Sequence, residues 1–438
     1  MSRFFISLAA ALLLALPLRA QVAVEEVTTE GGIEAWLVEE SSIPFVAIEL
    51  HFLGGASLDP DGKEGAANLM AGLMDQGAGE MDEQAFAEAV EALGAGMSFS
   101  ASRDTISVSA RFLSENRDEA AELLRTALIE PRFDEDAMER TRARTISSIR
   151  SSLRNPNAIA SREFDARAYG DHPYSRPTDG TEESVAALTR EDLLDAHRRG
   201  FALDRVHVAA AGDISAEALA ALLDDLLGDL PESGPELPSR AEVDLESGVS
   251  VVPFDGPQSV IAFGHAGIPR DDDDFFAAYV MNEILGGGRF GTRLMRELRE
   301  RRGLTYGVGS YLVSQQFGDT YQGRMATSNA QAADAIELLR EEWRRMADEG
   351  VSDDELDAIK TYLTGAYPLR FDGNAAIARI LAGMQMQGLD PDYMETRNDE
   401  VRAVTREDVR AIAERLLDPD GLHFVVVGQP EGLENGAD

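Results

Sequence analysis

One stretch of the sequence carries charged and phenolic side chains that could act together on a substrate, Arg293–Ser310 (RLMRELRERRGLTYGVGS). Apolar residues at helical spacing, followed by Gly303, predict a helix with Arg299 in its last turns and Tyr306 at the start of a strand. A turn between them would bring the guanidinium and the phenol to the same side. Both groups are strong donors for a developing oxyanion, and arginine stays charged at any working pH. A second interpretation stays open, in which Arg299 is a solvated helix arginine and Tyr306 an ordinary strand residue.

A glycine-rich segment, Gly286–Gly291 (GGGRFG), precedes this stretch and satisfies the G-x-G-x-x-G pattern of dinucleotide-binding loops. That chemistry needs a strand before the loop, whereas Phe275–Leu285 has the apolar spacing of a helix. The context therefore argues against a nucleotide site. The better-supported interpretation is a flexible loop between two helices, in which Gly286, Gly287 and Gly288 let the backbone approach a partner or an extended peptide.

The rest of the sequence gives little indication of a metal site or of a catalytic nucleophile. No two of the six histidines lie three or four positions apart, so a helical metal pair is missing, although a site built from three distant histidines stays open. The run Asp271–Asp274 lacks the spacing of a calcium loop and predicts a solvated acidic turn. Without cysteine, the chain excludes disulfides, thiolate metal sites and cysteine nucleophiles. The G-x-S-x-G elbow of hydrolases is also absent.

The composition and net charge of the chain argue against some classes of binding partner. The chain has 438 residues, 44% of them hydrophobic and 27% charged, which is typical of folded proteins with two or three domains. Its 40 basic and 79 acidic residues give a formal net charge of −39. Nucleic acid and anionic membranes would repel such a protein, so neither is expected as a partner.

The first twenty residues have the layout of a secretory signal peptide. Arg3 precedes an apolar run from Phe4 to Leu16, and cleavage is expected after Ala20. The run is short for a bilayer, and the alternative is an uncleaved membrane anchor. No later segment reaches eighteen apolar residues, so we expect no stable membrane insertion. These features predict an exported, periplasmic protein.

An internal repeat organises the rest of the chain. Leu188–Asp192 (LTRED) matches Val404–Asp408 (VTRED), and Val206–Gly212 matches Leu422–Gly428 at the same offset of 216 positions. Each copy mixes strands and helices without regular alternation, which predicts an α+β fold. We therefore expect a signal peptide over residues 1–20, a first domain over 21–230, a linker over 231–242 and a second domain over 243–438. His207 and His423 occupy equivalent places in the repeat, which favours a packing role.

The segment Leu285–Ser310 resembles the C-terminal-domain signature of the pitrilysin/insulinase-type (M16) zinc peptidases. Ala168–Gly180, Glu130–Asp136 and Ala211–Asp213 also follow the order of motifs in that family. The resemblance covers most of the chain. It implies two tandem homologous domains, each a mainly antiparallel sheet packed against helices, as in mitochondrial processing peptidase and LuxS-like metallohydrolases.

The chain departs from this family at the zinc site. Active members carry H-x-x-E-H on a helix of the first domain, where two histidines hold zinc and the glutamate activates water. By resemblance Asn68, Ala71 and Gly72 stand at those three positions, and Thr141 stands near the position of the third ligand. These side chains are poor ligands or none. We therefore expect this chain to bind no zinc.

The resemblance implies a division of work between two related subunits. A partner with an intact H-x-x-E-H would hold zinc, while Arg299 and Tyr306 of this chain would bind the peptide carbonyl and stabilise the tetrahedral intermediate. The loop Gly286–Gly288 would help admit and hold the peptide. The expected function is thus a non-catalytic, substrate-binding subunit of a heterodimeric periplasmic zinc peptidase, proteolytic only as a pair. Two alternatives stay open: a structural homologue like the core subunits of the cytochrome bc1 complex, and a solitary peptide-binding protein.

Overall fold

The computed structural model describes residues 23–433, and the predicted signal peptide over residues 1–20 lies outside this range. The strands, in chain order, are β1 (Glu25–Thr28), β2 (Glu34–Glu39), β3 (Phe45–Leu53), β4 (Gly77–Ala78), β5 (Met81–Asp82), β6 (Gly96–Ala101), β7 (Thr105–Leu113), β8 (Val206–Gly212), β9 (Gly248–Pro253), β10 (Gln258–Ala266), β11 (Thr305–Gln315), β12 (Gly318–Ser328) and β13 (His423–Gly428).

Helices surround these strands, and one of them is a π-helix, Met295–Arg301. The α-helices, in chain order, are α1 (Ala66–Ala71), α2 (Glu83–Ala92), α3 (Arg117–Ile129), α4 (Glu135–Ser152), α5 (Pro156–Tyr169), α6 (Glu182–Ala187), α7 (Arg190–Gly200), α8 (Ala216–Leu227), α9 (Phe275–Leu285), α10 (Ala332–Glu349), α11 (Asp353–Ala366), α12 (Asn374–Met386), α13 (Tyr393–Ala403) and α14 (Arg406–Leu416).

The strands form two large sheets, one in each predicted domain. The first sheet has the order β1-β2-β8-β3-β7-β6 and the second the order β11-β12-β10-β13-β9. In each sheet the closing strand of the repeat has one parallel neighbour, β2 beside β8 and β9 beside β13, while the other pairs are antiparallel. The predicted α+β class with mainly antiparallel sheets is confirmed.

The repeated helix starts fold alike in the two domains. Thr189 begins α7 with a capping box to Asp192, and Thr405 begins α14 with the same capping box to Asp408. In both cases the threonine hydroxyl accepts a backbone N–H of the first turn, and the aspartate accepts the N–H of the threonine. The local sequence therefore determines where both helices begin.

Each sheet is covered on one face by helices of its own domain. In the first domain, alternate residues of β3 are buried in a core that also contains side chains of α1, α3, α7 and α8. The β3 residues in this core are Val46, Ile48, Leu50 and Phe52. In the second domain, β10 contributes Ile261 and Phe263 to the corresponding core. The spacing of two between these residues is the strand period.

The other face of each sheet is covered by a helix from the opposite domain. Helix α12 of the second domain packs Ile377 and Leu381 on the first sheet, against Trp36, Ala209 and Ala211. Helix α5 of the first domain packs on the second sheet, and Phe164 lies there with Val260 and Val425. The small alanines of β8 let α12 approach closely. Through this reciprocal packing of α5 and α12, two apolar clusters contain residues of both domains and join the domains to each other.

A polar contact also joins the domains at the β11–β12 turn. Tyr174 Oη donates to Asp104 Oδ1 at 2.6 Å, and the backbone N–H of Phe317 donates to Tyr174 Oη at 2.9 Å. The backbone N–H of Gln316 donates to Asp104 Oδ2 at 3.3 Å. The turn of the second domain is thereby fixed to the first domain.

The predicted linker over residues 231–242 contains no helix or strand. It lies against both domains, because Arg205 Nη2 donates to Pro235 O at 2.7 Å and the N–H of Ala241 donates to Phe317 O at 2.6 Å. Across residues 23–433, every helix is too short or too polar to span a bilayer.

Candidate functional site

Arg299 lies on the π-helix Met295–Arg301, where the sequence predicted an ordinary helix. Leu298 is buried, and its carbonyl accepts the N–H of Leu304 at 2.8 Å, which closes a wider turn than an α-helix allows. Gly303 then reverses the chain at φ 64°, a conformation that favours glycine. π-Helical turns are rare and frequently lie at functional sites. Arg299 thus lies within a wider helical turn that ends at Gly303.

A buried ion pair anchors the start of this helical segment. Arg293 is 5% exposed, and its Nε and Nη2 donate to Glu355 Oε1 and Oε2 at 2.8 and 2.7 Å. Nη2 also donates to Gly350 O at 2.8 Å. The guanidinium lowers the pKa of Glu355 to about 2. The segment that carries Arg299 is therefore fixed to the start of α11.

Tyr306 lies in a β-bulge at the beginning of β11. Thr305 pairs with Thr327 and Val308 pairs with Met325. Two residues of β11, Tyr306 and Gly307, therefore lie opposite a single residue of β12. The N–H of Gly307 donates to Thr305 Oγ1 at 3.1 Å, which stabilises the bulge. Bulges redirect side chains at strand ends. Here the phenol is directed outward and is 87% exposed.

The structure brings Arg299 and Tyr306 together and adds a third side chain, Phe290. The guanidinium carbon of Arg299 lies 4.9 Å from the ring centroid of Tyr306 and 4.9 Å from that of Phe290. Phe290 is 69% exposed. Within residues 23–433, no carboxylate oxygen lies within 4 Å of the Arg299 guanidinium. We call these three residues the arginine stack. Its N–H and O–H donors are available to a ligand.

Phe290 was assigned no role from the sequence, although it lies inside the G-x-G-x-x-G segment. A large aromatic residue in a loop of glycines was the available signal. Its direction could not be predicted, because it depends on how the loop packs against β11.

The glycine loop joins α9 to the helical segment of Arg299, as the apolar spacing predicted. The N–H groups of Gly286 and Gly287 both donate to Asn282 O at 2.8 Å, and Gly286 O accepts the N–H of Ser310 at 2.8 Å. A Cβ at position 286 would lie 2.1 Å from Ser310 Oγ, and one at 287 would lie 2.6 Å from the Glu283 carboxyl. These two glycines allow close packing. Gly288 has nothing within 4 Å of a Cβ and faces open space.

The positions of the degenerate zinc motif lie together in the first domain. The N–H of Gly72 donates to Asn68 O at 3.1 Å, so the two positions are adjacent along α1. A Cβ at Gly72 would lie 3.6 Å from Thr141 Cγ2 on α4. Ala71 is buried, and Asn68 Nδ2 donates to Asp179 Oδ1 at 3.2 Å.

The side chains at these positions do not fit a zinc ion. Alanine and glycine offer no donor atom, and amide and hydroxyl groups are poor ligands for zinc. In the part of the chain that the structure describes, no group of three or more His, Cys, Asp or Glu could hold a metal ion.

A buried carboxylate at the start of α1 was not singled out from the sequence. Asp59 is 6% exposed and accepts the N–H groups of Gly65 and Ala67 at 2.9 and 3.0 Å. Burial raises the pKa of Asp59 to about 7, although these two hydrogen bonds oppose the rise. Asp59 therefore caps the helix that carries the degenerate motif.

Comparison with known proteins agrees with this architecture. Two family models match the chain, "Insulinase (Peptidase family M16)" over residues 36–182 and "Peptidase M16 inactive domain" over residues 187–363. The "Non-peptidase homolog YmxG" of Helicobacter pylori is 23% identical over 428 residues, which cover 98% of each chain.

Solved structures share the fold. A peptidase M16 inactive domain from Pseudomonas fluorescens is 29% identical with a TM-score of 0.88, over 95% of this chain and 100% of that one. A chain of Complex III2 from Candida albicans is 16% identical with a TM-score of 0.78, over 94% and 98% of the two chains.

Proposed function

The chain belongs to the peptidase M16 family, and we propose that it is a non-catalytic subunit that binds peptides for a zinc-bearing M16 partner. The observation that carries the proposal is the arginine stack, in which an arginine without a carboxylate partner among residues 23–433 lies between two exposed rings. The positions of the family's zinc motif, in contrast, hold no suitable ligands. Residues 23–433 thus offer no cluster of metal ligands, while the stack offers donors suited to a substrate.

The chemistry of the stack suits a peptide carbonyl. When water attacks a peptide bond, the carbonyl oxygen gains negative charge. The guanidinium of Arg299 and the phenol of Tyr306 can both donate to that oxygen, and the arginine brings a full positive charge. A partner with an intact H-x-x-E-H motif would supply the zinc-activated water.

The surroundings of the stack suit an extended peptide. Phe290 and Tyr306 present exposed ring surface beside the donors, to which an apolar side chain can bind. Gly288 leaves open space at the edge of the loop, where a peptide backbone can approach. These features favour peptide binding over a purely internal role for the pair.

The N-terminal sequence supports a proposed site of action in the periplasm. Met1–Ala20 has the layout of a signal peptide, which supports export to the periplasm. We therefore expect the complex to act on peptides in that compartment.

The test is reconstitution with an M16 subunit that carries H-x-x-E-H. The chain alone should cleave no peptide and the pair should cleave, while Arg299→Ala should lower kcat/KM of the pair by roughly 10²–10³, the usual cost of losing an oxyanion donor. Arg402→Gln is the matched control, because Arg402 is an exposed arginine on α13 that pairs only with Asp399 among the described residues.

Two results would overturn the proposal. Peptide cleavage by the isolated chain with bound zinc would make it a peptidase in its own right. An unchanged rate for Arg299→Ala in an active pair would remove the role of the stack and favour a structural subunit, like the core subunits of the cytochrome bc1 complex.

A further inference from the structure

A cavity of about 570 Å³ opens into the second domain between α9, β11 and the segment of α12 and α13. Much of its wall is aromatic or apolar, with Phe276 and Tyr279 from α9, Leu312 from β11, Met384 from α12 and Tyr393 from α13. The arginine stack does not line it. The cavity is therefore a separate feature of the domain.

Three arginines of this cavity form no close ion pair among the described residues, although Arg397 lies near enough to Glu283 to oppose the rise that burial causes in the pKa of that carboxyl. Arg270, Arg370 and Arg397 all line it, and within residues 23–433 none of them has a carboxylate oxygen within 4 Å. Glu283 is the acidic residue of the lining, and it lies 3.6 Å from Arg289. In a chain with 79 acidic and 40 basic residues, three such arginines in one cavity are a marked local excess of positive charge. An anion would relieve their mutual repulsion.

Arg270 lies against three aromatic rings and has one buried donor to spare. Its guanidinium carbon lies 4.2 Å from the ring centroid of Phe275, 5.4 Å from that of Phe276 and 5.2 Å from that of Tyr393. Its Nη2 is buried and has no hydrogen-bond partner among the described residues. Stacking on rings leaves the edge of a guanidinium free for a planar acceptor. A buried donor of this kind needs an acceptor.

The positive charges converge on the same part of the cavity. Arg397 is 5% exposed, and its Nη2 donates to Tyr279 Oη at 3.3 Å. Burial raises the pKa of Tyr367 to about 12, and the charges of Arg397, Arg370 and Arg270 all oppose the rise. One region of the wall is thus cationic, and it adjoins aromatic and apolar side chains together with a few polar ones, among them Asn282 and Glu283.

We propose that this cavity binds a carboxylate carried on an apolar or aromatic group, either the C-terminus of a peptide or a free aromatic acid. The carboxylate would accept from the free edge of Arg270 and from Arg370, and the apolar group would lie against the rings of α9 and α13. Arginine binds carboxylates through two parallel hydrogen bonds, which explains the preference for a planar anion. The inference goes beyond the proposed function and does not depend on a partner subunit.

The test is calorimetric titration of the isolated full chain with two matched pairs of probes. The first pair is 3-phenylpropionate and 3-phenylpropionamide, and the second is the peptide Ala-Ala-Ala-Phe with a free or an amidated C-terminus. We expect a free acid to bind about 10- to 100-fold more tightly than its amide, because a charged acceptor is lost in the amide. Tight binding of the peptide acid identifies a peptide terminus as the source, and tight binding of 3-phenylpropionate alone identifies a small acid.

Variants locate the binding. Arg370→Gln replaces an exposed residue and Arg270→Met a stacked one, and each should weaken binding of the acid about tenfold. Arg402→Gln on α13, which pairs with Asp399 outside the cavity, should leave binding unchanged. The proposal is overturned if neither acid binds, if acid and amide bind equally, or if Arg370→Gln binds the acid like the parent chain. Because no peptidase partner is present, failure here leaves the proposed function untouched.

Discussion

Arg293 and Glu355 form a two-pronged ion pair, with Nε 2.8 Å from Oε1 and Nη2 2.7 Å from Oε2. The pair joins the start of the helical segment that carries Arg299 to the first turn of α11. Glu355 also completes the capping box of that helix by accepting from the N–H of Ser352. One carboxylate therefore holds two elements, and the position of Arg299 depends on it.

The Glu355 carboxylate should contribute strongly to the stability of the folded chain. We expect Glu355→Gln to lower the free energy of unfolding at pH 7 by about 3 kcal/mol, because the change leaves the buried Arg293 charge unpaired. Urea unfolding followed by circular dichroism measures this change in the free energy of unfolding. Asp399→Asn is the control, since its pair with Arg402 is exposed and should cost less than about 0.5 kcal/mol. Equal stability of the two variants would contradict the anchoring role.

The same pair makes stability depend on acid pH. The pKa of Glu355 is about 2 in the folded chain and 4.5 in a free side chain, so the stabilisation is complete above pH 4.5 and is lost as pH falls toward 2. The difference in unfolding free energy between the parent chain and Glu355→Gln should therefore shrink between pH 5 and pH 3. A difference that stays constant across this range would rule out the ionised pair as its cause.

The contribution of Asp59 to stability should depend on pH in the opposite direction. Burial raises its pKa from 3.8 to about 7, so in this interval the folded state holds a proton that the unfolded state has lost. The contribution of Asp59 to stability is present below pH 4 and declines as pH rises through 7, by at most about 1.4 kcal/mol per pH unit. Unfolding measured from pH 4 to 8 should show this decline in the parent chain and not in Asp59→Asn. A parallel pH profile for the two proteins would contradict it.

Phe290 should contribute to the arginine stack without contributing to folding. In a reconstituted pair of subunits, we expect Phe290→Ala to lower kcat/KM about two- to fivefold, because an exposed cation–π contact contributes about 0.5–1 kcal/mol. The melting temperature should not change, since Phe290 is 69% exposed. Leu369→Ala, which removes another large side chain with 79% exposure, is the control and should have no effect on the rate. A Phe290→Ala protein as active as the parent would show that the ring is dispensable.

The geometry of α1 predicts that a partial metal site can be restored. Asn68 and Gly72 are joined by a helical hydrogen bond, and a Cβ at position 72 meets only ordinary contacts, the nearest at 3.5 Å. The double variant Asn68→His/Gly72→His should therefore place two imidazoles on one face and gain zinc binding in a calorimetric titration. Each single variant should bind at least about tenfold more weakly than the double. No gain in the double variant would show that the two positions do not share a face.

Local sequence was enough to predict the repeat, the α+β class and the starts of α7 and α14. Thr189 and Thr405 cap their helices through bonds that span three residues, so a short window contains all the information. The placement of Arg299 and Tyr306 at the two ends of a turn could be predicted for the same reason.

Other features depend on contacts that no short window contains. The sequence indicated a regular helix around Arg299, whereas the segment is a π-helix with Leu298 buried in the core and Arg293 paired to the distant Glu355. The bulge at Tyr306 depends on its register with β12, a strand on the far side of a turn. The arginine-lined cavity joins residues from Arg270 to Arg397, and its charge could not be predicted from a chain whose net charge is −39.

The reciprocal placement of α5 and α12 has a consequence for how the chain can move. A helix of each half covers one sheet face of the other, so separating the halves would expose two apolar sheet faces to water, which is unfavourable. We therefore expect cleavage within residues 231–242 to leave the folded halves associated. In the proposed complex, we therefore expect the opening that admits a peptide to lie between this chain and the partner subunit.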